Sequence, residues 1–201
     1  MKKHYLNNLK TGLNNPLRFI LTLLIVSIAL YIGSIPLRME SLNQCFQLYS
    51  LLYFSALLFP FVLGLLGLIY SFKFIHGLSF NQLVLPIGTK KLDLKRLFFS
   101  FSTWFALLIL MELIGFLFQP ENYRFKIPDA KFIQLVILSV FLLPIQTSFE
   151  ELLMRSYISQ QLYFFTSNIF ISIISSSLLF SFMHVNNPES SNYGYHIMFV
   201  R

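Results

Sequence analysis

Glu150, Glu151, Arg155 and His184 are the residues of this chain whose types and spacing can do chemistry. The first three stand in FEELLMRSYI, residues 149–158, in a chain that is otherwise mostly Leu, Ile, Phe and Ser. On a helix, Glu151 and Arg155 are four apart with the acid first, the favourable order for an ion pair. Glu150 is turned about 100° from Glu151, so the two carboxylates cannot point the same way. One can pair with Arg155 and stay ionised, while the other is left to exchange a proton. A carboxylate and a histidine together form a workable hydrolytic pair. The glutamate takes a proton from a water that attacks a carbonyl, and the histidine holds the water or stabilises the oxyanion. A catalytic metal needs at least three protein ligands around an open position. His184 and Glu150 are the only evident donors, which leaves a divalent metal such as zinc an open question.

Each of these residues also has a plainer use. Glu151 and Arg155 can lock helix packing, and His184 can end a helix, where a positive charge favours the last carbonyls. Their setting argues for more. Of the 201 residues, 56% are hydrophobic and only 11% charged, against roughly 25% charged in soluble domains. Mean hydropathy is +0.67. Ionisable groups within such a sequence are costly and usually mark a site. The net charge of +7 is explained by Lys and Arg flanking membrane spans, so nucleic acid is not an expected partner. The single cysteine, Cys45, can form no internal disulfide and reads as a small buried apolar residue.

The elements that must position the four residues are apolar runs of spanning length. They cover 19–37, 45–72 (with Pro60 as a candidate kink), 97–118, 132–165 and 168–184. The expected fold is all-α, a polytopic transmembrane bundle of about five spans. A basic head covers 1–18, N-terminal spans and loops 19–131, and the catalytic region 132–201. Lys2, Lys3, Lys10 and Arg18 precede the first span, and Lys73, Lys90, Lys91, Lys95 and Arg96 lie between the second and third. Positive charge gathers on the cytosolic side, so the N-terminus and the 73–96 loop are expected there.

The 132–165 run holds 34 residues, about 50 Å of helix and too long for one simple crossing. With a turn near Thr166, Glu150 lies 16 residues before it and His184 18 after it. In an antiparallel pair this mismatch is about 3 Å of rise. Glu150 and His184 are thus expected to meet at one depth and share a water.

The pattern Glu150-Glu151-x-x-x-Arg155, followed by Phe180-x-x-x-His184, resembles the first two motifs of the CAAX-protease and bacteriocin-processing family. That family includes the type II CAAX prenyl proteases and bacterial Abi-type membrane proteins. The resemblance covers residues 140–190 well and the first 130 only as a multi-span pattern. It implies an intramembrane endopeptidase in a bacterial plasma membrane, with a peptide or protein substrate. Glu150 would be the water-activating base, Glu151 and Arg155 its neighbours and His184 the first histidine. The family has been described both as metal-dependent and as metal-independent. A third family motif, a histidine with Asn four residues later, has no counterpart here: His196 is followed at that spacing by Val200. The chain is therefore expected to lack a final helix of the family fold. The rival readings are a non-catalytic immunity or scaffold protein, an inactive truncated member, and, less favoured, a transporter component using Glu150 and His184 as a proton relay.

Overall fold

The computed structural model describes residues 12–39, 50–85, 92–124 and 127–185, together with Leu6, Leu9 and Leu42. Cys45, His196, Lys2, Lys3, Lys10, Lys90 and Lys91 lie outside the described residues. The described residues form helices and no strand. Helix α1 runs Pro16–Arg38, α2 Ser50–Phe74, the short α3 Phe80–Val84 and α4 Leu94–Phe118. A single 3-10 turn, Pro120–Asn122, leads to α5, Ala130–Glu151. The same helical rod continues through a π-helical segment, Leu152–Ile158, into α6, Ser159–Thr166, and α7 covers Ile169–Met183. Four of these rods are long and apolar enough to cross a membrane: Pro16–Arg38, Leu51–Phe74, Leu94–Phe118 and the 37-residue Ala130–Thr166. The fifth, α7, is a shorter apolar helix. The chain is an integral membrane protein.

Side-chain caps start the helices where the sequence supplies Asx residues. Asn15 accepts from the Arg18 amide, Asp93 from that of Arg96, and Asp129 from that of Phe132. Each satisfies an amide that has no partner within its helix. The turn between α6 and α7 falls at Ser167, in the left-handed region at φ 52°. Asn168 then caps α7 by accepting from the amides of Phe170 and Ile171. The hairpin expected around Thr166 is therefore present.

Helices α1 and α2 pack at close range because small residues line their seam. A Cβ on Gly33 would come within 2.6 Å of Pro60 Cα, and one on Gly67 within 3.3 Å of Ala29 Cβ. Pro60 thus packs against Gly33 of α1, within an unbroken α2. The apolar core joins this pair to the π segment through Val26, Leu68, Phe72, Phe149, Met154 and Tyr157. Polar side chains are buried too. Ser159 Oγ donates to Ser176 Oγ at 2.7 Å, and Ser172 Oγ donates to the Ser159 carbonyl at 2.6 Å. These short bonds tie α7 to α6 and fix the helix that carries His184. Helix α4 differs from the rest, since it buries none of its residues.

Candidate active site

Glu150 lies in the last turn of α5, and His184 caps the C-terminus of α7. The hairpin brings them together: His184 Nε2 is 3.9 Å from Glu150 Oε2. Both side chains are mostly covered but reachable, at 18% exposure for Glu150 and 31% for His184. Glu150 Oε1 accepts a hydrogen bond from Gln146 Nε2 at 3.1 Å, one turn earlier. That bond orients the carboxylate so that Oε2 faces the histidine. His184 Nδ1 donates to the Phe180 carbonyl at 2.8 Å. A carbonyl can only accept, so Nδ1 carries a proton, and in the neutral tautomer this leaves Nε2 as an acceptor.

A single water could bridge the two atoms from one side. Two hydrogen bonds of about 2.8 Å spanning the 3.9 Å gap subtend about 90° at the water oxygen, close to what a water's two O–H groups offer. One O–H then points at each acceptor, and the oxygen lone pairs point away from both.

Arg155 Nη1 meets Glu151 Oε2 at 3.2 Å, the expected i,i+4 pair. Its side chains are 68% and 46% exposed, so the pair is not sealed in the interior. The Arg155 guanidinium also lies 5.7 Å from the centre of the Phe180 ring, which itself packs 4.5 Å from the His184 imidazole. Arginine over an aromatic face is a favourable contact. It links the Glu–Glu–Arg run to the Phe-x-x-x-His run directly. Glu151 faces a different space from Glu150. With Leu65, Phe80, Val84, Leu92, Thr147 and Leu152 it lines an open, mainly apolar cavity of about 470 Å³.

Among the described residues, no group of three His, Cys, Asp or Glu side chains is placed to hold a metal. Glu150 and His184 supply two donors and Glu151 is turned to Arg155. These donors fall one ligand short of a catalytic zinc site.

Residues 130–200 match the family of type II CAAX prenyl endopeptidases described as Rce1-like. Over those residues the chain is similar to that family. All four candidate site residues lie within the matched region. The Bacillus subtilis (strain 168) protein bearing the name "Uncharacterized protein YyaK" is 33% identical over 143 residues, which is 70% of this chain and 46% of that protein. The chain thus spans about half the length of this curated relative. No solved structure matches it.

The matched region also holds a buried group that its motifs do not announce. Tyr157 lies in the π segment and is fully buried, as is His76, just beyond the end of α2. The Tyr157 hydroxyl is 3.0 Å from His76 Nε2, and Thr22 Oγ1 is 3.0 Å from the same nitrogen. On the other side of the ring, His76 Nδ1 donates to Asn14 Oδ1 at 2.5 Å and to the Leu13 carbonyl at 3.2 Å. Burial pushes His76 below its ordinary value of 6.5, the nearby Arg18 charge pushes the same way, and the Leu13 hydrogen bond opposes both. This network sets residues 14, 76 and 157 at one end of the bundle. Sequence reasoning missed it. A lone histidine after a span resembles a loop residue, and the left-handed turn at Gly77 (φ 66°) directly after it is a local signal.

Proposed function

We propose that this protein is a membrane-embedded endopeptidase of the CAAX-protease type, with Glu150 as the general base. The observation that carries the reading is the 3.9 Å approach of Glu150 Oε2 to His184 Nε2 across the α5–α7 pair. The Rce1-like match over residues 130–200 supports it. A water between the two acceptors gives one proton to Glu150 as its oxygen attacks the carbonyl carbon of a peptide bond. His184 Nε2 holds the other O–H and so aims the lone pair. Glu150 then passes its proton to the departing amine nitrogen when the C–N bond breaks. General-base assistance of this kind supplies about 10²–10⁴ in rate. Glu151 keeps Arg155 in place between the two motif-bearing helices, and the cavity beside Glu151 offers apolar space for the substrate chain.

The reading places the protein in a bacterial plasma membrane, with a peptide or protein substrate and the 14/76 end of the bundle facing the cytosol. The test replaces His184 by Gln or by Ala and follows hydrolysis of fluorescein-labelled casein by the purified protein in detergent. His184→Gln keeps an acceptor for the water and should retain more activity than His184→Ala. Equal activity of the two variants and the unsubstituted chain would contradict the role given to His184. No hydrolysis by the unsubstituted chain would favour a non-catalytic immunity or scaffold protein, in which the cluster serves packing alone.

A further inference from the structure

The seven residues after Glu151 are wound as a π-helix. Such a stretch carries one residue more than an α-helix closes over, is rare, and is often found at functional sites. One residue is worth about 100° of helix rotation. Glu150 stands on the N-terminal side of the segment, while α6 and the hairpin to His184 follow on the C-terminal side. The winding between them therefore sets the direction in which Glu150 points relative to His184.

Long π segments do not persist on their own backbone bonds, and this one is held from outside. Ser156 Oγ donates to the carbonyl of Leu83, in α3. The next residue, Tyr157, reaches His76 Nε2, which Thr22 also contacts. Ser159 adds a bond of its own, its Oγ donating at 3.2 Å to the Met154 carbonyl five residues back. Gln161 Nε2 donates at 3.3 Å to Asn14 Oδ1, the atom that also accepts from His76. Ser156 and Tyr157 are adjacent in sequence and buried, yet their partners sit on separate elements at the end of α2 and in α3.

We propose that Ser156, Tyr157 and His76 are positioning residues, which hold the π register and so keep Glu150 facing His184. This rests on the proposed proteolytic reading only for its catalytic consequence; the geometric claim stands alone. Without the two anchors the segment relaxes toward an α-helix, and Glu150 rotates away from the water it shares with His184.

The test reads geometry and rate separately. In a Cys45→Ser background, Glu150→Cys and His184→Cys are introduced together, and membranes are treated with a short bifunctional methanethiosulfonate. The intramolecular cross-link reports that positions 150 and 184 still face each other. Adding Ser156→Ala with Tyr157→Phe should lower the yield about fivefold, the scale set by one or two buried hydrogen bonds. His76→Leu should do the same. His76→Gln keeps an acceptor toward Tyr157 and a donor toward Asn14, and should restore the yield. In chains that retain Glu150 and His184, Tyr157→Phe should lower kcat on labelled casein about tenfold with KM nearly unchanged, the mark of a lost transition-state arrangement. If Tyr157→Phe does not accumulate in membranes, the His76→Leu and His76→Gln pair makes the same comparison. An unchanged cross-link in all these variants would overturn the proposal. A cross-link that responds as expected, together with no hydrolysis by the chain that retains Glu150 and His184, would support the positioning role and overturn the proteolytic reading instead.

Discussion

Phe149, the residue before Glu150, seats its ring on Gly64 of α2. A Cβ added at position 64 would come within 2.9 Å of Phe149 Cε2 and 2.8 Å of Leu30 Cδ2. Phe149 is fully buried, so the ring has nowhere to retreat without moving the turn that carries Glu150. The small residue at position 64 therefore sets the depth and rotation of Glu150.

Gly64→Ala should destabilise the protein by about 1–3 kcal/mol, the usual cost of overpacking a filled interior. The measurement is thermal unfolding in detergent. Casein hydrolysis by the fraction that remains folded should also fall, because Glu150 moves with Phe149. A Gly64→Ala variant with unchanged melting and unchanged rate would refute the seating.

His76 predicts a pH dependence whose sign follows from burial. The folded chain holds this imidazole below its ordinary value of 6.5, whereas the unfolded chain takes up its proton near that value. Stability is therefore full above about pH 6.5 and falls as the pH drops through it, until the folded state also accepts the proton. Melting temperature measured in detergent between pH 8 and about pH 5 should fall toward acid. The slope should flatten in His76→Gln, and an identical slope in that variant would exclude His76 as its source.

Topology gives a prediction that needs no activity. Asp93 precedes α4 and Glu121 follows it, so the two lie at opposite ends of one candidate span. The proposed orientation, from the Lys and Arg residues of the 73–96 loop, puts that end in the cytosol. In a Cys45→Ser background, Asp93→Cys should resist a membrane-impermeant maleimide in intact cells and react after lysis. Glu121→Cys should react in intact cells, and the reverse pattern would invert the assignment.

The meeting of Glu150 and His184 was legible in the sequence because it depends on two simple quantities. One is the helical rise. The other is the place of the turn, marked by Thr166, Ser167 and Asn168 between two apolar runs. The Glu151–Arg155 pair was legible for a similar reason, since i,i+4 spacing is local. The π segment was not legible. Its winding depends on Leu83 and His76, some seventy to eighty residues away in sequence, and no local pattern reports such anchors. Nor did the sequence separate α4 from the packed helices. An apolar run reads the same whether it faces lipid or protein, and only the structure shows that α4 buries none of its residues.

Glu150→Gln tests the central claim most directly. The amide keeps the size of the side chain and an acceptor oxygen for Gln146, but it cannot take a proton from water. Purified protein carrying this change should melt as the unsubstituted chain does and lose casein hydrolysis by about 10²–10⁴-fold. A folded Glu150→Gln variant that cleaves at the unsubstituted rate would contradict the account.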